Sequence, residues 1–206
     1  VEAINYAILN GADVINASWT LRADRRLSEE DRLLKKAIEK AGEAGVVFVT
    51  AAGNHFDTGV GINVDEFPVY PARFALDNML TVAALDEEGR LAGYSNYGPS
   101  SVDLAAPGST ILSTLNEGNY GFMDGTSVAT AFVSGASALL ASLDSAYSPG
   151  QIRAILLGSS IRDDTLTGLV SSEGRLNISR ALSDAAGVEP SPAASPSRNE
   201  PAPALS

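Results

Sequence analysis

The residues best suited to chemistry lie in two short stretches, DGTSVATAFVSG (Asp124 to Gly135) and VFVTAAGNH, which ends in Gly53-Asn54-His55. A serine hydroxyl attacks a carbonyl carbon once a base takes its proton. The attacked oxygen then carries negative charge, which N–H donors stabilise if they are already aimed at it. Ser127 follows Gly125 and Thr126 and opens a run of 16 uncharged residues, Val128 to Leu143. That run predicts a helix, and negative charge is favoured at a helix start. From the residues alone Ser127 has two roles open to it, a helix cap or a nucleophile. Asn54, read from its neighbours alone, is a turn residue, because Gly-Asn after a strand is ordinary turn chemistry.

The run after Ser127 is apolar or small on every side, which predicts a helix through the interior of a sizeable domain. It is too short and too rich in Gly, Ser and Thr for a membrane span. Before it, strands and helices alternate. The chain opens in a helix with Ile4, Ala7 and Ile8 on one stripe and Gly11 as its stop. DVINAS follows as a short strand. SEEDRLLKKAIEKAGEAG predicts an amphipathic helix with Ser28 and Asp31 as a capping box. Leu33, Leu34, Ala37, Ile38 and Ala41 form its expected buried face. VVFVTAA (46–52) is continuously apolar, as a parallel strand buried on both sides requires. MLTVAAL (79–85) and VDLAAPG (102–108) read as further strands, and SPGQIRAILLGSS and NISRALSDAA as two later helices. Repeated strand–helix units imply a doubly wound, mostly parallel α/β sheet with helices on both faces. Sites in such folds form beyond the carboxyl ends of the strands.

Composition narrows the classes. Of 206 residues, 14 are Lys or Arg and 25 Asp or Glu, a net charge of −11. No basic stripe appears, so neither nucleic acid nor an anionic membrane is an expected partner. Cys is absent, which removes disulfides, thiolate zinc sites and a cysteine nucleophile. Residues 187–206 hold five of the ten prolines and little to bury, so residues 1–186 are the expected folded domain and the rest a disordered tail or linker.

Three ordered blocks, NGADVINASW, AAGN and GTSVATAFVSG, resemble the substrate-cleft segment, the oxyanion motif and the nucleophile block of the subtilisin-like serine peptidases, the subtilase family. YPARF, YSNYGPSSVDLAAPGSTILST and GRLN fall in the family's order as well, so the resemblance covers residues 1–186. It implies a serine endopeptidase in which Ser127 is acylated and Asn54, with the Ser127 N–H, holds the oxyanion. It also implies that Ala17, Ser18, Trp19 and Thr20, with Ala51, Ala52 and Gly53, bind a protein or peptide substrate as an extended strand. The resemblance further implies that catalysis needs no cofactor. Structural calcium at the carbonyls of Ala72 and Phe74, a pro-peptide inhibitor and secretion to the extracellular space are further family expectations.

The family's Asp and His come well ahead of the cleft segment. Here Asp13 and Asp24 lie in or after that segment, and the one histidine, His55, follows the oxyanion Asn and reads as a loop residue. About 100 residues carrying the triad's Asp and His are therefore expected upstream, making this chain the later two-thirds of a catalytic domain. Val128, Ala131 and Phe132 stand where the family usually has Met, Pro and His. Thr20 replaces a usual glycine, and with Val69 it is expected to narrow the first specificity pocket in favour of small or medium apolar side chains. The rival from another class is an inactive, subtilase-like peptide-binding module. An unrelated α/β hydrolase is disfavoured because GTSVA lacks the last glycine of the G-x-S-x-G elbow. GVGINV lacks the third glycine of a dinucleotide loop. The acidic pairs read as solvated turns, and Asn16 and Asn177 match the glycosylation pattern.

Overall fold

The computed structural model describes residues 1–22, 27–144, 146–185 and 187; Asp24 and the expected tail from 188 onward lie outside them. In chain order the first elements are α1 (Glu2–Leu9), β1 (Val14–Ala17), β2 (Leu21–Arg22), α2 (Glu29–Glu43) and β3 (Val47–Ala51). Next come β4 (Val69–Tyr70), β5 (Met79–Leu85), β6 (Leu104–Pro107), β7 (Ile111–Thr114) and β8 (Tyr120–Met123). The last are α3 (Thr126–Leu143), α4 (Pro149–Gly158), β9 (Ile161–Arg162), β10 (Gly174–Arg175) and α5 (Ile178–Ala185).

Six strands form the main sheet in the order β1-β3-β5-β6-β10-β9, parallel throughout except for β9. Alternate residues of the buried strands face opposite layers, as strand geometry dictates. Val47, Val49, Leu80, Val82, Leu104 and Ala106 pack against α3, α4 and α5. Val46, Phe48 and Met79 pack against α1 and α2. Both faces are covered, which is why these strands read as continuous apolar runs. The expected doubly wound α/β architecture is the one observed.

The Ser28–Asp31 capping box at the start of α2 forms on both sides. Leu33 departs from expectation: it is 48% exposed, while Leu34, Ala37, Ile38 and Ala41 are buried. The i, i+3, i+4, i+7 stripe fits the last four, and Leu33 lies one residue round the helix from it. α1 buries Ile4 and half-buries Ala7 and Ile8.

The larger correction concerns α3. Thr126, Ala129, Thr130, Val133, Ala136, Ser137 and Leu140 are buried against the sheet. Ala131, Phe132, Gly135, Ala138, Leu139 and Leu143 are exposed, so the helix does not run wholly through the interior. By length and composition alone it could span a membrane, but its buried stripe serves as the core of this fold. Its outer face is apolar without being covered among the described residues. The β7–β8 hairpin was not foreseen either, because its alternation is short and its exposed face is itself apolar.

Arg153 of α4 pins the start of β6. It donates through Nη2 to Asp103 Oδ1 and through Nε to the Met79 carbonyl at 3.0 Å, while Asp103 Oδ2 accepts the Thr81 N–H at 2.7 Å. Burial pushes the Asp103 carboxyl above its ordinary pKa, with Arg153 and the Thr81 N–H opposing that shift.

Candidate active site

The carboxyl ends of β1 and β3 meet the N-terminus of α3 at one edge of the sheet. Gly125 turns the chain into the helix at φ 144°, a conformation that favours glycine. As the N-cap it offers no side chain. Asn54 takes over that duty from a different segment: its Oδ1 accepts the Thr126 N–H at 2.9 Å and the Thr126 hydroxyl at 3.1 Å. Thr126 Oγ1 in turn accepts the Gly53 N–H at 3.1 Å. This ring holds the Asn54 amide by its oxygen and leaves its NH2 end available.

Ser127 occupies the second helical position, where no carbonyl lies one turn back to accept its N–H. Among the described residues neither that N–H nor Asn54 Nδ2 has a hydrogen-bond acceptor. The Ser127 hydroxyl does not cap the helix. It donates to the Ser18 carbonyl at 3.1 Å, and the Ser18 hydroxyl returns a bond to the Ser127 carbonyl at 2.8 Å. Asn16 extends this link, donating to Ser18 Oγ at 2.8 Å and accepting from Ser134 Oγ at 2.8 Å.

The segments expected to flank a substrate lie at this edge. Ala17 is buried, Ser18 and Thr20 half-buried and Trp19 exposed; Ala51, Ala52 and Gly53 are buried. Thr50 Oγ1 donates to the Ala17 carbonyl at 3.3 Å, tying the two strand ends together. A Cβ on Gly53, whose φ is +96°, would lie 2.7 Å from Asn96 Nδ2 and 3.4 Å from Thr20 Oγ1. Thr20 therefore stands across Gly53. Val69, buried on β4, pairs with Arg22 of β2 and packs in one cluster with Ala52 and Val64.

His55 is half-buried in the loop after Asn54. Its N–H donates to the Tyr94 carbonyl at 2.9 Å, and its ring Nδ1 lies 2.8 Å from Asn96 Oδ1. Ala72 and Phe74 form a short 3-10 turn after the cis Tyr70–Pro71 bond. The Ala72 carbonyl accepts the Thr81 hydroxyl at 3.3 Å, and among the described residues no group of three acidic or histidine side chains converges on a metal position. These carbonyls alone do not make the oxygen cage calcium takes, so no step below involves it. Sequence reasoning missed the clamp by Thr126 and the link through Ser18 and Asn16. Thr126 adjoins the serine and is a polar side chain in an apolar helix, which is the one signal that pointed to it.

A serine hydroxyl, an amide donor and a backbone N–H at the carboxyl edge of a doubly wound sheet are the groups that a serine-hydrolase type of site would use. Comparison with known proteins makes this specific: the chain belongs to the subtilase family of serine peptidases, whose family model matches residues 1–186. It is similar to the thermostable alkaline protease of Halalkalibacterium halodurans, 35% identical over 152 residues, which cover 74% of this chain and 37% of that protein. It is 36% identical over 185 residues to the subtilisin of Bacillus pumilus, covering 88% of this chain and 60% of that one. Among solved structures, the prenylagaramide maturation protease PagA superposes with a TM-score of 0.75 at 32% identity, over 90% of this chain and 66% of that chain. The chain thus spans less than two thirds of the length of the curated relatives it matches.

Proposed function

We propose that this chain carries the nucleophile and oxyanion hole of a subtilisin-like serine endopeptidase, with the triad's Asp and His supplied by polypeptide upstream of Val1. The observation carrying the proposal is the Asn54 amide, clamped by its oxygen and with its NH2 end available near a vacant helix-start N–H. Ser127 Oγ attacks the scissile carbonyl carbon as the upstream base takes its proton. The new oxyanion accepts from Asn54 Nδ2 and the Ser127 N–H. Collapse expels the amine, which takes the proton from the base, and water then cleaves the acyl-enzyme by the same route. Neither Asp13 nor His55 fills the missing roles. Asp13 precedes β1 and so lies toward the opposite edge of the sheet, and the His55 ring is engaged with Asn96. Among the described residues the outer edge of β1 and the apolar outer face of α3 are uncovered, which gives the upstream polypeptide a surface to pack on.

The substrate is an extended peptide passing between residues 17–20 and 51–53. Thr20 and the buried Val69 favour a small or medium apolar side chain before the cut bond, and a peptide library cleaved preferentially after Arg or Lys would refute that. Secretion, and regulation by a pro-peptide, follow from the same family placement. The rival is a peptide-binding module without turnover. It draws on one observation, that the Ser127 hydroxyl donates to a carbonyl, which cannot take its proton.

A fluorophosphonate probe decides between them when applied to the native polypeptide containing this chain. Labelling of Ser127, lost in Ser127→Ala, is expected; no labelling under conditions that label a control subtilisin favours the binding module. Asn54→Leu should then lower kcat while leaving KM nearly unchanged. In subtilisin, removing the corresponding Asn costs about 10²–10³-fold in kcat, and a fall of that order is expected here.

A further inference from the structure

The two donors of the proposed oxyanion hole sit on segments far apart in the chain, and one residue fastens both. The Tyr94 carbonyl accepts the His55 N–H at 2.9 Å, directly after Asn54, and Asn54 pairs with Ser95 in an isolated antiparallel bridge. The Tyr94 ring packs on Phe56 with centroids 4.6 Å apart and planes at 35°. At its other end the Tyr94 hydroxyl donates to the Gly108 carbonyl at 2.7 Å and accepts the Gly125 N–H at 3.1 Å. Ser109 Oγ lies 2.8 Å from the same oxygen. With Ser109 as donor, the single proton and both lone pairs of the hydroxyl are used.

The arms converge closely. A Cβ placed on Gly125 would lie 3.6 Å from Asn54 Nδ2 and 3.8 Å from Phe56 Cζ. The same Gly125 N–H also donates to the Gly108 carbonyl at 2.7 Å, so Tyr94 and Gly108 share it in a three-centre bond just before Thr126 and Ser127. Burial is the main cause raising the Tyr94 pKa, so its hydroxyl keeps its proton across ordinary working pH.

We infer that Tyr94 is a positioning residue that sets the spacing between Asn54 Nδ2 and the Ser127 N–H, its hydroxyl holding the Gly125 side and its ring and carbonyl the Asn54 side. The inference rests on the roles proposed above for Ser127 and Asn54. A hole fixed this way is tuned to the oxyanion rather than to the ground-state carbonyl, so loosening it lowers kcat and spares KM.

The test uses Tyr94→Phe, which keeps the ring against Phe56 and deletes only the hydroxyl, in the native polypeptide. One neutral hydrogen bond corresponds to roughly a 3- to 10-fold effect. The expected result is a fall in kcat of that size with KM within twofold. A peptide aldehyde, whose hemiacetal oxygen with Ser127 would occupy the hole, should lose affinity in parallel. Phe56→Leu, loosening the other side, should act in the same direction. In an Asn54→Leu background, Tyr94→Phe should have little further effect, because the hole it tunes has already lost one donor. Unchanged kcat and aldehyde affinity would overturn the inference even if Tm fell, as would a loss confined to KM or full additivity with Asn54→Leu. If the wild-type polypeptide neither turns over peptide nor takes the fluorophosphonate, the hydrolytic assignment itself fails, and the role of Tyr94 with it.

Discussion

Thr126→Val deletes one hydroxyl while keeping a β-branched shape of the same size. Thr126 is fully buried, and its Oγ1 accepts the Gly53 N–H and donates to Asn54 Oδ1. Leaving the buried Gly53 N–H without an acceptor costs about 1–3 kcal/mol, and the lost bond to Asn54 a further ~1 kcal/mol. A total of roughly 2–4 kcal/mol corresponds to a Tm lowered by about 5–12 °C for a domain of this size. The catalytic consequence is separate. Asn54 Oδ1 keeps only the Thr126 N–H, so its amide pivots more freely and kcat should fall about fivefold, the factor that ~1 kcal/mol represents. Urea unfolding with an unchanged m-value measures the first effect, and steady-state kinetics normalised to titrated active sites the second. Thr126→Ser, which restores the hydroxyl, should recover most of both. A valine variant within 0.5 kcal/mol of wild type and with unaltered kcat would show that the ring through Gly53, Asn54 and Thr126 does not hold the site.

Two further substitutions probe the scaffold. Arg153→Met strands the buried Asp103 carboxylate and should cost about 3 kcal/mol, the lower end of the usual range because Arg153 is itself about one third exposed. That deficit should shrink as pH falls and Asp103 takes up a proton; a deficit independent of pH between 4 and 8 in chemical denaturation would rule out the stranded charge as its cause. Tyr70 is raised above the ordinary tyrosine pKa by burial and then by Asp31, with Arg73 opposing. Above pH ~10 the unfolded chain ionises first, so this residue removes stability as pH rises. Tyr70→Phe should therefore flatten the decline in Tm between pH 9 and 11 relative to wild type, and parallel curves would refute the assignment.

Much of the fold was legible because its signals are local. The β-branched run at 47–51, the Ser28–Asp31 box and the alternation of strand and helix each depend on neighbours within a turn or two. Ser127 and Asn54 were legible as a pair only through the resemblance, since each alone is also a cap or a turn residue. What pairs Asn54 Oδ1 with Thr126, or Tyr94 with Gly125, is contact across many tens of residues, and no periodicity encodes that. α3 was misjudged for a related reason. An apolar sequence says that a face prefers cover, not that the described residues provide it. Leu33 repeats the point on a smaller scale: hydrophobicity put it in the core, and the helical angle took it out.

The open side of β1 has a consequence for the behaviour of this polypeptide in solution. Among the described residues the parallel edge of four residues, Val14 to Ala17, has β3 as its one strand neighbour, and α3 leaves Phe132, Leu139 and Leu143 exposed as well. An edge that can take the right strand can also take the wrong one, including that of a second copy. The surplus of negative charge keeps copies apart at low ionic strength, but that repulsion is screened within about 10 Å at 0.1 M salt, while apolar attraction is not. Colloidal stability is thus coupled to whether this edge and face are covered. A chain in which this edge and face are covered stays in solution, and one in which they are exposed is drawn toward self-association.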